Sequence, residues 1–302
     1  MSILAGAGRK KRDAFVIIFV GCIFWASFVP VAKIGLDYIS PILFSGLRFF
    51  IAGIILVGIF MITEKKKPHL DFVSLVISII QIYLAYIFFF KGLEGVTGSF
   101  VSIVTGANPV FAMFFSVFLY GERYDRIRIA GIIAGITGIA MATFSDSNFN
   151  IYNMFYILLS SIFIGFGNSI SKKSVNQIGP LALAGVTTLT GGALLLLTSP
   201  FMETPMINIS YQSVIIIIYS SFTSIAGYVL FYTALRHNNV SLVTSVKFTI
   251  PPMGVIFSIL LLSEKANILL VISIILVSLA ILMINHASAI SNNKVQRKTY
   301  IK

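Results

Sequence analysis

Two uncharged stretches of the sequence carry polar side chains at a helical spacing. The first set is Ser99, Ser102, Thr105 and Asn108. The second set is Ser241, Thr244 and Lys247. Because residues three or four apart lie on one face of a helix, each set predicts a polar stripe. Two such stripes could form the walls of one cavity that binds a polar small molecule, or they could allow helices to pack closely.

Two amides, Gln81 and Asn168, lie well inside apolar runs. An unpaired polar group is costly there, so each amide must bond to a neighbouring helix or to a ligand. Ser224 and Tyr228 share a helix face, whereas tyrosines in general can also anchor helices at a membrane surface. The candidate substrate-binding residues are Trp25, Gln81, Tyr86, Ser102, Thr105, Asn108, Asn168, Ser224, Tyr228, Thr244 and Lys247.

Lys247 is unusual because it is a cation inside an otherwise uncharged run. A charged side chain at the centre of a bilayer costs about 2.5 to 3.5 kcal/mol on insertion scales, so Lys247 should face water, a partner or a ligand. Its long side chain could instead extend to the cytoplasmic surface. If Lys247 faces a cavity, it should attract a carboxylate or phosphate of the substrate. Arg48 is a second cation inside an apolar run.

Prolines and acidic residues suggest moving parts. Pro30, Pro109 and Pro251 lie within apolar runs, where each should remove a backbone hydrogen bond. The result could be a functional bend or a static kink. Glu122 and Glu264 stand at the ends of two runs, where they could cap a helix structurally or gate the site. These five residues are the candidate gating residues.

The elements that position all of these residues must be membrane-spanning helices. Of the 302 residues, 57% are hydrophobic and 11% are charged, against roughly 25% charged residues in soluble domains. A helix needs about 20 apolar residues to cross a bilayer. Candidate spans are the runs 14–32, 38–63, 72–90, 95–121, 129–145, 147–171, 174–202, 204–235, 237–263 and 266–293. Their continuous apolarity does not fit a β-barrel, so we expect an all-α integral membrane protein with ten transmembrane helices.

The positions of Lys and Arg predict the orientation of these helices. If the N-terminus is cytoplasmic, 17 cations fall in cytoplasmic segments and three at external ends. Such a bias is typical of multi-pass membrane proteins. We therefore expect a protein of the cell membrane with both termini on the cytoplasmic side. The net charge of +12 is then a topology signal that also favours anionic lipid. We expect no nucleic-acid partner.

The second half of the chain repeats the first. The segment 86–122 superposes on 228–264 without a gap, and this register aligns Tyr, Pro and Glu residues, including Tyr86 with Tyr228 and Glu122 with Glu264. Five helices per half turn the second copy upside down, and inverted repeats are a device of transporters. We expect a basic tail (1–13), a first five-helix repeat (14–145), an inverted second repeat (146–286) and a second basic tail (287–302).

Short segments in a fixed order carry a further signal. They are 24–28, 33–35, 48–50, 108–111, 121–123, 251–252 and 262–264, together with Pro41. These segments resemble the EamA-type families of the drug/metabolite transporter superfamily. The resemblance implies export or exchange of an amino acid or related metabolite through a central cavity between the halves, and a structural role for Arg48.

Other classes of protein fit the sequence less well. The histidines His69, His237 and His286 lie at loops or helix ends, so the motifs of an intramembrane enzyme are absent. We expect no enzyme, metal or cofactor. A channel or facilitator is the alternative, because it needs only a lined pore. We expect a small-molecule substrate, a surrounding bilayer, and a monomer or homodimer.

Overall fold

The chain folds into a bundle of helices. A computed structural model describes residues 2–106, 108–120, 126–145, 150–238, 240–265, 267–280 and 282–283. Their helical segments are α1 (Ser2–Gly35), α2 (Pro41–Glu64), α3 (Phe72–Leu93), α4 (Gly98–Leu119), α5 (Arg126–Ser145), α6 (Ile151–Ile178), α7 (Pro180–Met202), α8 (Tyr211–His237), α9 (240–262) and α10 (Ile268–Ala280). Within the described ranges, β-pairing is limited to one isolated bridge between Ile39 and Ile207.

The lengths of these helices match a bilayer. Among the described residues, seven helices are long and apolar enough to cross a membrane, namely α1 to α4 and α6 to α8. Helices α5, α9 and α10 contain the shorter apolar segments Ile129–Ala142, Ile250–Leu262 and Ile268–Ala280. The expected helical membrane fold is confirmed, and each of the ten expected spans corresponds to a helical segment.

The helices begin at residues suited to a first turn. Pro41 and Pro180 open α2 and α7, where a missing amide proton costs no intrahelical hydrogen bond. The side chains of Asp71 and Thr97 accept hydrogen bonds from amides in the first turns of α3 and α4. Ser210 forms a capping box at the start of α8. Each of these starts follows a short connection from the preceding helix.

Three helices are irregular around the candidate site residues. Helix α3 contains a π-helical segment, Ser78–Leu84, around Gln81. Helix α4 is interrupted between Thr105 and Asn108, and α9 contains the 3-10 turn Lys247–Thr249. In a membrane, irregular backbone is tolerated where protein or water surrounds it, and π-helical turns are frequent at functional sites. The irregularities therefore indicate where the site lies.

Two of the candidate gating prolines follow these irregularities. Pro109 and Pro251 are the second residues of the regular segments Asn108–Tyr120 and Ile250–Leu262. Amides in a first turn have no partner within their own helix, so neither proline removes a hydrogen bond from its segment, contrary to our expectation. Pro30 lies inside the continuous helix α1.

Helix packing follows the repeat. Helix α1 packs on α8 and α9, and its counterpart five helices later, α6, packs on α3 and α4. The counterparts α2 and α7 pack on each other, as do the counterparts α4 and α9. Exchanging these helices with their counterparts therefore reproduces these contacts, which is the arrangement expected of a duplicated fold. The exact repeat boundaries, 14–145 and 146–286, stay a prediction.

Glycines allow α2 and α7 to approach closely. A Cβ atom added to Gly53 would lie 2.4 Å from the Leu189 backbone, and one added to Gly192 would lie 2.4 Å from the Phe50 nitrogen. The repeat register that places Pro41 on Pro180 also places Gly53 on Gly192 and Phe50 on Leu189. The same close backbone contact between α2 and α7 is thus made twice.

Candidate functional site

A cavity lies inside the bundle and is lined by helices of both halves. Its residues are Trp25, Phe28, Val29, Gln81, Tyr86, Phe89, Thr105, Asn108, Ile164, Tyr228, Lys247 and Ile250. The centres of water molecules can occupy about 60 Å³ of it, and one water needs roughly 10 to 15 Å³ on this measure. The cavity therefore has room for only a few waters.

The cavity brings together most of the candidate substrate-binding residues. Those in its lining are Trp25, Gln81, Tyr86, Thr105, Asn108, Tyr228 and Lys247. Aromatic rings dominate one wall, where Trp25 and Tyr228 meet edge to face with centroids 5.7 Å apart. A mostly aromatic wall with a few polar groups is the usual composition of a small-molecule site.

Lys247 is buried at the cavity, and its hydrogen-bond contact among the described residues is with a neutral group. Its Nζ lies 3.4 Å from the side-chain oxygen of Asn168, 4.2 Å from the ring centroid of Trp25 and 3.9 Å from that of Phe231. Only 4% of the residue is exposed, so its side chain does not extend to the cytoplasmic surface. The ion pair found among the described residues joins two other side chains, Lys66 and Glu64. Lys247 is thus a buried amine with no acidic partner in that part of the chain.

A network of neutral groups holds the polar wall. Gln81 donates a hydrogen bond to the Asn168 oxygen at 2.8 Å, and the Gln81 oxygen accepts one from the Tyr232 hydroxyl at 3.1 Å. The Ser171 hydroxyl lies 3.5 Å from the same oxygen. Asn168 therefore stands behind the lining and orients Gln81 and Lys247. Tyr232 and Ser171 are not among the residues predicted from the sequence, where their only signal is a polar residue in an apolar run.

Two buried amide atoms at this site lack a hydrogen-bond partner. They are the side-chain oxygen of Asn108 and the side-chain nitrogen of Asn168, each without a partner among the described residues. Buried polar groups are nearly always paired. One free acceptor and one free donor beside a cavity therefore indicate a site for a ligand with complementary groups.

Besides Asn168, three candidate residues lie outside the cavity lining, namely Ser102, Ser224 and Thr244. Ser102 and Thr244 donate hydrogen bonds to carbonyls of the preceding helical turn, at 2.8 Å each. Ser102 also lies against Gly254, where a Cβ atom would come within 2.6 Å of the Ser102 oxygen. Ser224 accepts a hydrogen bond from Arg48 at 3.1 Å. A serine or threonine can satisfy its hydroxyl within its own helix, so here close packing explains the small polar residues better than ligand contact.

The comparisons with known proteins agree with this fold. The sequence model of the EamA-like transporter family matches residues 14–144 and 151–286. This chain belongs to the EamA-like transporter family. Because the match covers both halves of the chain, the protein is a multi-pass membrane transporter with a small-molecule substrate.

Individual relatives of this EamA-like transporter are distant. It is 25% identical to the uncharacterized transporter YvbV of Bacillus subtilis, over 92% of this chain and 93% of that one. It is also 25% identical to a probable amino-acid metabolite efflux pump of Salmonella typhimurium, over 84% of this chain and 88% of the relative. One solved crystal structure has a TM-score of 0.71 at 16% identity, and the match covers 90% of this chain and 97% of that one. At this identity the structure supports the fold alone.

One end of the EamA-like bundle is held by two carboxylates, and we call it the Glu203 end. Glu264 accepts hydrogen bonds from the amides of Gly98 and Ser99, at 2.6 and 2.9 Å, and from the Ser99 hydroxyl at 2.6 Å. Glu203 accepts hydrogen bonds from the amides of Ile42 and Leu43, at 3.0 and 2.8 Å. A carboxylate at a helix N-terminus is favourable. Both contacts tie the second half of the chain to a helix start in the first half.

The opposite end differs from the Glu203 end. Glu64 is the repeat counterpart of Glu203, in the register that places Gly53 on Gly192. It pairs instead with Lys66 at 3.4 Å, and both side chains are more than half exposed. Glu64 also borders an open cleft at the start of α7. Glu122, the counterpart of Glu264, lies outside the described residues. Of the candidate gating acids, the structure therefore places Glu264 alone.

Lysines make a further pair of equivalent contacts. Lys33 at the end of α1 donates a hydrogen bond to the Val96 carbonyl. Its counterpart Lys172 donates to the carbonyls of Leu235 and Asn238, at 2.6 and 2.9 Å. Val96 and Asn238 are themselves aligned in the register that places Tyr86 on Tyr228. Each half thus fastens its first helix to the loop after its own third helix, so these lysines are structural.

Glu94 lies in the loop after α3, near the Glu203 contact. Burial raises the pKa of its carboxyl, and the charge of Glu203 raises the pKa further, whereas Lys91 lowers it. The ionised form of Glu94 is therefore disfavoured at this end of the bundle.

Proposed function

We propose that this transporter exports or exchanges an amino acid or a similar small carboxylate by alternating access around the central cavity. The observation that carries the proposal is Lys247, a buried amine at the cavity whose polar contact is the neutral Asn168. A buried cation is costly unless it is paired. A substrate carboxylate would supply the missing partner during transport.

The remaining cavity groups suit the rest of such a substrate. The free nitrogen of Asn168 can donate a second hydrogen bond to a carboxylate held by Lys247. The free oxygen of Asn108 can accept one from a substrate amino group. Rings of Trp25 and Tyr228 provide apolar contact. The relative named as a probable amino-acid metabolite efflux pump supports the same substrate class.

The shape of the bundle favours a carrier over a channel. The central cavity has about 60 Å³ open to water centres, and the two ends of the bundle around it differ. The Glu203 end is tied by carboxylate contacts, and the counterpart of one of them, Glu64, is untied at the opposite end. Such a difference between two related ends is what alternating access requires.

We do not expect transport by this protein to be driven by protons. The acidic side chains that the structure describes lie at helix ends or in loops, as Asp71, Glu94, Glu203 and Glu264 illustrate. Proton-driven carriers commonly use an acid within the membrane. We therefore propose exchange or facilitated transport.

We also propose that both termini are cytoplasmic, so that the Glu203 end is external. Single cysteines at Met206 and at Lys66, in protein with Cys22 replaced by alanine, test this orientation. A membrane-impermeant maleimide added to whole cells should label position 206 and leave position 66 unlabelled. The reverse labelling pattern would overturn the orientation.

Counterflow in proteoliposomes tests the transport function. Vesicles with purified protein are loaded with one of the common amino acids at high concentration and then given a trace of the same labelled amino acid outside. A carrier accumulates the label transiently above equilibrium, whereas a channel does not. We expect saturable counterflow for at least one amino acid, with protein-free vesicles as the control. If no amino acid shows counterflow, the proposed function is wrong.

A further inference from the structure

Arg48 is a buried cation that the proposed function does not yet use. It is 0% exposed on α2. Its Nε donates a hydrogen bond to the Ser224 hydroxyl at 3.1 Å. Its other two nitrogens, Nη1 and Nη2, are buried without a hydrogen-bond partner among the described residues. A purely structural arginine would be expected to have these donors paired.

The guanidinium lies directly behind the cavity wall. Its central carbon is 3.5 Å from the ring centroid of Phe28 and 5.0 Å from that of Tyr86, and both rings line the cavity. The hydroxyls of Tyr86 and Tyr228 are near enough to interact with its charge, and both tyrosines also line the cavity. The contacts with aromatic faces stabilise the cation, but they leave the two Nη donors free.

Arg48 and Lys247 lie toward opposite ends of the bundle. Arg48 follows Pro41, the start of α2, by roughly 10 Å of helix, and α2 starts at the Glu203 end. Lys247 follows Val240, the start of α9, by a similar distance. Helix α9 ends at the Glu203 end, where Glu264 accepts hydrogen bonds from Gly98 and Ser99, so it starts at the opposite end. The two cations therefore flank the middle of the path from different sides.

Aromatic rings connect the two cations. Lys247 contacts the ring of Trp25, which packs on Tyr228 at a centroid distance of 5.7 Å. Tyr228 packs on Phe49 at 6.1 Å, and the Phe49 ring centroid lies 4.3 Å from the Arg48 guanidinium carbon. A carboxylate that leaves Lys247 toward the Glu203 end would therefore move along rings that already contact Arg48.

We propose that Arg48 is a second anion-binding residue of the transport path. It binds the substrate carboxylate through Nη1 and Nη2 when the Glu203 end opens, and Lys247 binds the carboxylate when the opposite end opens. A guanidinium fork matches a carboxylate in geometry and charge. This inference rests on the proposed function, and it replaces the structural role that the family resemblance implied for Arg48.

Side-specific exchange kinetics test the inference. The amino acid with the strongest counterflow is presented either at the Glu203 end or at the opposite end. The orientation of the protein in the vesicles is determined by maleimide labelling of a cysteine at position 206. The variants are Arg48→Gln, Arg48→Lys and Lys247→Gln. Lys91→Gln, which removes an exposed cation at the Glu203 end, is the control.

Arg48→Gln should raise the KM measured at the Glu203 end about tenfold or more, since a charged hydrogen bond is lost, and leave the KM at the opposite end within about twofold. Lys247→Gln should raise the KM at the opposite end and leave the KM at the Glu203 end within about twofold. Lys91→Gln should change neither KM. If Arg48→Gln does not fold, Arg48→Lys decides, because an ammonium cannot form the two-pronged contact and should raise the same KM several-fold.

Three results would overturn the inference. Unchanged KM values at both ends in a folded Arg48 variant would make Arg48 structural and leave the proposed function intact. Equal increases at both ends would mean that Arg48 acts through the fold of the whole cavity. If the unaltered protein shows no counterflow with any amino acid, the proposed function fails first, and the role of Arg48 fails with it.

Discussion

The amine of Lys247 and the side-chain oxygen of Asn168 lie 3.4 Å apart in the interior of the bundle. The same oxygen accepts a hydrogen bond from Gln81 at 2.8 Å, which fixes the orientation of the amide. Lys247 is therefore held in place by a neutral group instead of being neutralised by an acid. The pair leaves one cationic group and one free amide donor for a ligand.

Replacing Asn168 by aspartate should convert this contact into an ion pair. Asn168→Asp places a carboxylate within reach of Lys247, so it should compete with the substrate carboxylate and weaken substrate affinity about tenfold or more. Thermal unfolding should occur at an equal or higher temperature. Ligand-induced thermal shifts measure both effects. Asn176→Asp, at an exposed position on the same helix, should leave affinity unchanged, and equal losses in both variants would contradict this prediction.

Neutralising Glu264 should loosen the Glu203 end. Glu264→Gln weakens the charge-assisted hydrogen bonds to Gly98 and Ser99, at a cost of about 1 to 3 kcal/mol. A cysteine at the cavity residue Val29, in protein with Cys22 replaced by alanine, should then react faster with external maleimide. Glu64→Gln is the matched control, because Glu64 bonds no helix start and pairs only with exposed Lys66 in the described structure. An unchanged labelling rate in Glu264→Gln would argue against a gating role.

A methyl group at the α2–α7 contact should destabilise the fold. At Gly53 a new Cβ atom would lie 2.4 Å from the Leu189 backbone, which cannot move aside as a side chain end could. Gly53→Ala should therefore cost about 1 to 3 kcal/mol, seen as a lower unfolding temperature in detergent. Gly58, on the same helix, has open space around it, and Gly58→Ala should be neutral or slightly stabilising. Equal effects of the two substitutions would show that helix propensity, and not close packing, governs both sites.

The stability of the Glu203 end should depend on the charge of Glu94. Because the folded-state pKa of Glu94 is raised, protonated Glu94 favours the folded state, and this contribution is lost as pH rises through the folded-state pKa. Glu94→Gln should therefore unfold at a slightly higher temperature than the unaltered protein at pH 7. The difference should vanish as the pH falls below about 4.5, the ordinary value for this group. A difference that does not vary with pH would rule out this electrostatic explanation.

Much of the fold could be predicted from the sequence, because bilayer thickness sets helix length and apolarity. The internal repeat also indicated which faces turn inward, since Tyr86 and Tyr228 both line the cavity, as do Thr105 and Lys247. Helical spacing did not separate Thr105 from its neighbour Ser102. Both residues lie on one stripe, and only the approach of Gly254 shows that Ser102 lies at a helix contact.

Other parts of the site depend on contacts between distant segments. The hydrogen bond from Tyr232 to Gln81 requires α8 to pass beside the π-helical turn of α3, and no local pattern signals that turn. The Nη atoms of Arg48 likewise lack a partner in the described structure because aromatic rings, including those of Phe28 and Tyr86, surround the guanidinium. Sequence spacing identifies a buried cation but does not reveal whether its donors are paired.

Competition between an amino acid and its carboxamide tests most directly the claim that Lys247 binds a substrate carboxylate. The amide keeps the amino group and side chain of the amino acid but carries no negative charge. The amino acid and its carboxamide are presented at the end opposite Glu203, where Lys247 is proposed to bind the carboxylate. In counterflow with the unaltered protein and with Lys247→Arg, the carboxamide should inhibit at least about tenfold more weakly than the acid. In folded Lys247→Gln, affinity for the acid should fall to that of the amide. If Lys247→Gln retains both the original affinity for the acid and its preference over the amide, the claim is wrong.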